Sequence, residues 1–214
     1  MTDSTNGIVY ILENPAMPGL IKIGVTYSES ELATRLRTLF NTSVPFPFTC
    51  VAAYEVSEYK KVEKVIHEAF IVHRSNPNRE FFAMEPHRVR VILKHFGIRE
   101  VTPGIVQAES KADTEAMKEV IEASERKSNF TFSAVNIPAE TTLYFVEDPS
   151  VTCVVANDRQ VLFQGEITSL SKAALEALAA RGKKWPAVSG PKMWLYDDET
   201  LSERRTRYDA SQQV

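Results

Sequence analysis

Two short apolar runs near the start of the chain, Ile8–Leu12 and Leu20–Ile23, flank the segment Asn14-Pro15-Ala16-Met17-Pro18-Gly19. Pro and Gly clustered between two strand-length runs predict a hairpin. Each run carries one polar group that a plain core strand does not need, the phenol of Tyr10 and the amine of Lys22. Side chains alternate faces along a strand, so both groups can be aimed at one spot on the sheet. A phenol beside an ammonium suits attack on a phosphate, since one relays a proton and the other neutralises charge. For either residue alone, a Tyr capping a strand and a Lys snorkelling at its edge explain as much.

The next ninety or so residues extend the hairpin into an α+β pattern. Ser30 is expected to cap a helix reaching Asn41, with Leu32, Leu36, Leu39 and Phe40 as its buried stripe and Arg35 one step off it. Phe48–Val56 reads as a third strand. Ser57 then caps a helix to about His73, whose core face is Val62, Val65, Ile66, Ala69 and Phe70. On the opposite side Glu63 and His67 are i,i+4 neighbours, and Arg74 follows on the same flank. Arg79–Met84 reads as a short strand, and Pro86 opens a helix that Gly97 stops. A small antiparallel sheet flanked by helices results.

Composition bounds the rest. With 43% apolar and 25% charged residues, the 214-residue chain is ordinary for a globular protein. No apolar run nears the roughly 18 residues of a membrane span, and the polar N-terminus has no signal-peptide character. Cys50 and Cys153 lie in apolar runs, as reduced buried thiols of a cytoplasmic protein would. A net charge of −3 argues against a simple basic nucleic-acid binder, although residues 1–100 hold 12 Lys and Arg against 11 Asp and Glu and all four histidines. The expected organisation is a first domain over residues 1–97 and a partly helical linker over 98–128. A second small β+α domain follows over 129–207, with a disordered tail at 208–214.

Hydrolysing a phosphodiester takes a base for water, cations for developing charge, and commonly a divalent metal. Glu63, midway along a packed helix, is the best single oxygen ligand for Mg²⁺ or Mn²⁺, and Glu80 is either the alternative ligand or a structural salt-bridge partner of Arg79 or Arg74. Arg35 can grip a phosphate oxygen in bidentate fashion. His67, one turn from Glu63, can relay a proton or contact DNA, and Arg74 is a candidate DNA contact. Isolated, Arg35 and Glu63 would be read as solvated or salt-bridged, Glu63 to Lys60 or Lys64.

Gly7-Ile8-Val9-Tyr10, Lys22-Ile23-Gly24, Arg35-Leu36, Glu63 with His67, and Arg79-Glu80-Phe81-Phe82, in this order, resemble the phage-T5-type branch of the GIY-YIG nuclease superfamily over residues 7–96. The resemblance implies that Tyr10 activates the attacking water, that Lys22 stands for the second motif's tyrosine, that Arg35 is the family arginine, and that Glu63 binds the metal. One turn beyond Arg35, where many relatives carry His or Tyr, this chain has Leu39, and His67 is the candidate substitute. Asn76 or Asn78 is the candidate for the asparagine that closes the family site.

Thr142–Glu147, Val151–Ala156 and Gln160–Phe163 read as consecutive strands, with a tight turn at Asn157-Asp158 and a break at Gly165. A helix capped by Ser169 or Ser171 follows and ends at Gly182. The run from Gly165 through Ser169-Leu170-Ser171 and Ala173-Ala174, then Gly190, Trp194 and Leu201, resembles RAMA-type domains, which accompany restriction and modification proteins. That resemblance implies reading of DNA or of its modification state. Lys183, Lys184, Lys192, Arg204 and Arg205 are the candidate phosphate contacts, and Trp185 or Trp194 the candidate base-stacking group.

The expected function is a metal-dependent DNA endonuclease acting in restriction of foreign or modified DNA. A repair or single-strand-specific nuclease and a non-catalytic DNA-binding module are the alternatives. One such site cuts one strand, so double-strand cleavage calls for a homo-oligomer or two successive nicks.

Overall fold

The N-terminal hairpin forms in a computed structural model that describes residues 6–105, 110–128 and 130–211. Strand β1 (Asn6–Glu13) pairs antiparallel with β2 (Leu20–Thr26), so that Tyr10 faces Gly24 and Leu12 faces Lys22. The connection is tied by the buried Asn14, whose side chain accepts from the Ala16 N–H at 2.9 Å and donates to the Phe46 carbonyl at 2.7 Å. β1 also pairs with β3 (Thr49–Ser57), β2 with β4 (Phe81–Ala83), and β3 with β5 (Arg99–Glu100). The sheet therefore runs β4-β2-β1-β3-β5, antiparallel throughout. Residues 99–101, expected in a linker, belong to this sheet: the Val101 N–H donates to the Ala53 carbonyl at 2.8 Å, and its side chain is buried.

Three helices cover the sheet. Helix α1 (Glu29–Leu39) is capped by Ser28 rather than Ser30, the Ser28 hydroxyl accepting from the Glu31 N–H at 3.2 Å. Its Leu32 and Leu36 pack with Ile8, Tyr10 and Leu12. Because strand residues alternate, Val9 and Ile11 are buried on the other face. That face receives α2 (Tyr59–Ala69) and α3 (Pro86–Phe96), the latter opened by its proline.

Helix α2 departs most from the sequence reading. β3 runs on through Ser57, and Glu58 turns the chain with a left-handed φ of 52°, so no serine caps this helix. The Tyr59 ring docks against Gly7 of β1 and sets the helix phase. Val65, 64% exposed, and Ala69 consequently face outward, whereas Ile66 is buried and Glu63 and His67 lie half-buried beside it. The carboxylate and imidazole are thus on the packed side of the helix, not the opposite one. The helix ends at Ala69, and a short 3-10 turn over Ile71–His73 completes the segment.

The chain divides into two compact units, Met1–Thr114 and Glu115–Val214. Helix α4 (Lys111–Ser128) spans the division, and its Met117 is buried, so it is not wholly solvated. The second unit holds β6 (Thr142–Phe145), β7 (Asp148–Val155), β8 (Gln160–Phe163) and β9 (Glu166–Ser169), followed by α5 (Leu170–Ala180). Then come α6 (Gly190–Met193), β10 (Trp194–Tyr196), β11 (Glu199–Thr200) and α7 (Leu201–Ser211). Its antiparallel sheet has the order β11-β10-β6-β7-β8-β9. Gly165 does not break the meander. Gln164 and Gly165, at φ 50° and 89°, form the two-residue turn that joins β8 to β9. Helix α7 carries residues 208–211, which were expected to be disordered; residues 212–214 lie outside the described residues.

The fold is therefore α+β, with two antiparallel sheets. Cys50 and Cys153 are both free and buried. Among the described residues no helix is long and apolar enough to cross a membrane.

Candidate active site

β4 ends its ladder with β2 at the Lys22–Phe81 pair, and beyond it only the Ile23 N–H reaches back, to the Glu80 carbonyl at 3.1 Å. The Tyr10 ring lies across the next residue, Gly24. A Cβ on Gly24 would stand 2.7 Å from the Tyr10 hydroxyl, so the strand must be bare there. The buried phenol has its pKa raised by desolvation, while Arg35 acts in the opposite sense through a side-chain hydrogen bond and its charge. Glu80 and Glu63 add smaller upward pushes, which puts the phenol within electrostatic reach of α1, α2 and the β4 approach.

Lys22 is only 6% exposed, and its ammonium is paired. Nζ donates to Glu80 Oε2 at 2.5 Å, and it also sits 5.5 Å from the centroid of the Phe81 ring. Burial alone would raise the Glu80 pKa. The Lys22 hydrogen bond, with the charges of Lys22, His67 and Arg35, overrides it and holds Glu80 below the usual carboxylate range.

Glu63 is the contrasting carboxylate. Desolvation and the neighbouring Glu80 raise its pKa, and Lys22 and Arg74 offset this only in part. Among the described residues no side chain forms an ion pair with it. One turn on, the His67 pKa is lowered by burial, with a backbone hydrogen bond at Ile23 acting against that. Its Nε2 is buried without a hydrogen-bond partner, and the ring lies 5.0 Å from Phe82. Arg74 is fixed by a 2.7 Å bond from Nε to the Arg79 carbonyl and lies over the Phe82 ring at 5.8 Å. Asn76 and Asn78 are exposed, and the Asn76 side chain is occupied by the Asn78 N–H at 2.8 Å.

Tyr10, Lys22, Arg35, Glu63, His67, Arg74 and Glu80 thus form one electrostatically connected group. Three features escaped the sequence reading: Glu80 as the partner of Lys22, Gly24 as the seat of the Tyr10 ring, and Tyr59 as the residue that docks α2. A glycine inside a strand is the one available signal, since it marks a close approach.

The cations named for the second unit are placed differently from one another. Lys183 is buried and donates to both oxygens of the fully buried Glu147 at 2.8 Å, with Arg181 3.3 Å from the same carboxylate. Arg204 is buried between Tyr196 and Tyr208, bonded to Glu199 at 2.8 Å and to the Val135 carbonyl at 2.9 Å. Their charges face inward. Lys184 is exposed, whereas Lys192 and Arg205 are partly exposed, Arg205 lying 3.5 Å from Asp209. Trp194 is a core residue whose Nε1 donates to the Leu170 carbonyl at 3.0 Å, and Trp185 is half-buried with Lys183 above it at 5.7 Å.

Among the described residues no group of three or more His, Cys, Asp or Glu side chains could hold a metal ion. A site built on a single protein carboxylate still suits Mg²⁺, which keeps several waters and takes the substrate's phosphate oxygens as ligands. Glu63 fits that requirement, being half-buried, without an ion pair and raised in pKa.

No curated protein and no solved structure matches the chain. Residues 7–97, which carry every member of this group, match the family model of the T5orf172 domain, a nuclease-like and DNA-binding family.

Proposed function

We propose that the N-terminal unit is a divalent-metal-dependent DNA endonuclease of the GIY-YIG type and that the second unit directs it to its DNA. The observation that carries this reading is the contrast between two carboxylates. Glu80 is engaged by Lys22, whereas Glu63 keeps a raised pKa and no ion pair. A half-buried carboxylate beside another negative charge gains most from an added cation. Mg²⁺ or Mn²⁺ held by Glu63 would neutralise phosphate charge and acidify a bound water.

The chain's own groups account for the remaining requirements. Arg35, exposed and set against the phenol, is available to hold a non-bridging phosphate oxygen. Tyr10 keeps its proton before substrate arrives, because burial raises its pKa. As the water attacks, its proton passes to the Tyr10 oxygen while the phenol's own proton passes on to a phosphate oxygen, so the tyrosine is neutral before and after the step. Lys22 stabilises the charge that develops on the pentavalent phosphorus centre. His67 is kept neutral by burial and serves as an acceptor close to Glu63.

The resemblance of residues 129–207 to RAMA-type domains supports reading of DNA or its modification state, with Lys184, Lys192 and Arg205 as phosphate contacts. A nuclease of this kind suits restriction of foreign or modified DNA in the cytoplasm, in keeping with two free, buried thiols. Double-strand breaks would come from two protomers or from two successive nicks.

The test is cleavage of supercoiled plasmid with Mg²⁺ or Mn²⁺ by wild type, Tyr10→Phe and Glu63→Gln. Wild type is expected to nick or linearise the plasmid, and each variant to lose at least about 100-fold in rate. Equal activity in all three would remove the site. Equal cutting of unmodified and modified duplexes would remove the preference for modified DNA alone.

A further inference from the structure

Lys22 and Glu80 are joined by the shortest link within the candidate site, and among the described residues neither has a second ion-pair partner. Lys22 is enclosed, whereas the Glu80 side chain is 41% exposed. The backbone reinforces the pair, because the Ile23 N–H donates to the Glu80 carbonyl and Lys22 pairs with Phe81 across the ladder. Two carboxylates, Glu63 and Glu80, therefore compete for one buried ammonium, and Glu80 has it. Glu63 also lies within the electrostatic reach of Lys22, so it is the acid exposed to that charge if Glu80 is removed.

We propose that Glu80 is a positioning residue rather than a metal ligand: it holds the Lys22 ammonium in register for the scissile phosphate and keeps it off Glu63. The inference rests on the nuclease reading above. Being partly exposed, Glu80 can release the ammonium when a phosphate arrives and can remain hydrated itself. A fully buried carboxylate could not do so without a large desolvation cost. Lys22 thus exchanges one oxygen anion for another, and Glu63 stays free to bind a cation at every stage.

A double-mutant cycle tests the assignment. Lys22→Met is expected to lower the cleavage rate by at least about 100-fold, as for loss of a charge-stabilising donor. Glu80→Gln should lower kcat by about tenfold, the scale typical of a residue that orients another. In the Lys22→Met background, Glu80→Gln should change the rate by less than about twofold, because a residue acting only through Lys22 has nothing left to orient. Mn²⁺ binding followed by electron paramagnetic resonance supplies a readout independent of turnover. In the Lys22→Met background Glu80→Gln should retain binding, whereas Glu63→Gln should lose it.

Full additivity of the two rate effects, wild-type activity of Glu80→Gln, or loss of Mn²⁺ in the double variant would each overturn the proposal. If wild type cuts no DNA, the nuclease reading fails separately. The Lys22–Glu80 coupling is then read from acylation of Lys22, followed by peptide mass. Glu80→Gln should raise its rate severalfold if Glu80 holds the ammonium, and an unchanged rate sinks the pairing.

Discussion

The Tyr59 ring occupies the space where a side chain on Gly7 would be. A Cβ built on Gly7 would stand 2.4 Å from Tyr59 Cδ1 and 2.8 Å from Cε1. The glycine that opens the first motif is thus a docking seat for α2, and Tyr59 lies one helical turn before Glu63. Gly7→Ala is expected to destabilise the fold by about 1–3 kcal/mol through overpacking. It should also lower the cleavage rate, because Glu63 moves with the helix. Thermal melts and plasmid assays check both effects. Adding Tyr59→Ala should recover part of the lost melting temperature, and no recovery would show that the ring is not the obstacle.

Gly24 plays the matching part for Tyr10. A methyl group there would lie 2.7 Å from the Tyr10 hydroxyl and 2.8 Å from Cζ. Neither atom can yield easily, since the ring is buried among Leu32, Leu36 and Leu12. Gly24→Ala should therefore approach the rate of Tyr10→Phe while keeping its circular dichroism spectrum. A Gly24→Ala protein with wild-type turnover would separate the phenol from the chemistry.

Much of the fold could be read in the sequence because its signals are local. The Pro- and Gly-rich connection at residues 14–19, Pro86 at a helix start and the serine at 169 each act on their own neighbours. The phase of α2 could not be read this way, because a long-range contact between Gly7 and Tyr59 sets it and turns Val65 outward. The same limit hid the partner of Lys22, which is 58 residues away. It also hid the inward turn of Lys183, whose acid is 36 residues away, and of Arg204, which binds the Val135 carbonyl 69 residues away.

Glu63 carries a cost that the proposed metal binding would explain. Its pKa is raised in the folded protein, so the unfolded chain releases this proton more readily. Stability contributed by the protonated form is present at low pH and is lost as pH rises through the folded pKa. At neutral pH Glu63→Gln should accordingly raise the melting temperature while abolishing cleavage. Mn²⁺ should raise the melting temperature of wild type and leave that of Glu63→Gln unchanged. Equal metal shifts in both proteins would move the metal away from Glu63.

Lys183 and Lys184 are adjacent in sequence but should respond differently to substitution. Lys183→Met takes a buried ammonium away from the fully buried Glu147, and loss of a buried partner costs about 3–5 kcal/mol. Lys184→Met, at an exposed position, should leave the melt nearly unchanged and weaken DNA binding. Fluorescence anisotropy with a labelled duplex, beside thermal melts, separates the two. A stable Lys183→Met protein with weakened DNA binding would return Lys183 to the surface.

His67 gives the N-terminal unit an acid-sensitive point. Burial holds its pKa below the ordinary 6.5, and Nε2 has no acceptor for an added proton. The unfolded chain therefore binds that proton more readily, and stability is complete above the unfolded pKa and falls as pH drops below it. Wild type should lose melting temperature between about pH 7 and pH 5. Glu63 works in the opposite direction over the acid range, so the comparison has to isolate His67. His67→Phe keeps an aromatic ring beside Phe82 and removes the titrating group, so its melting temperature should fall less over that interval. Parallel pH profiles for the two proteins would assign the acid loss to another group.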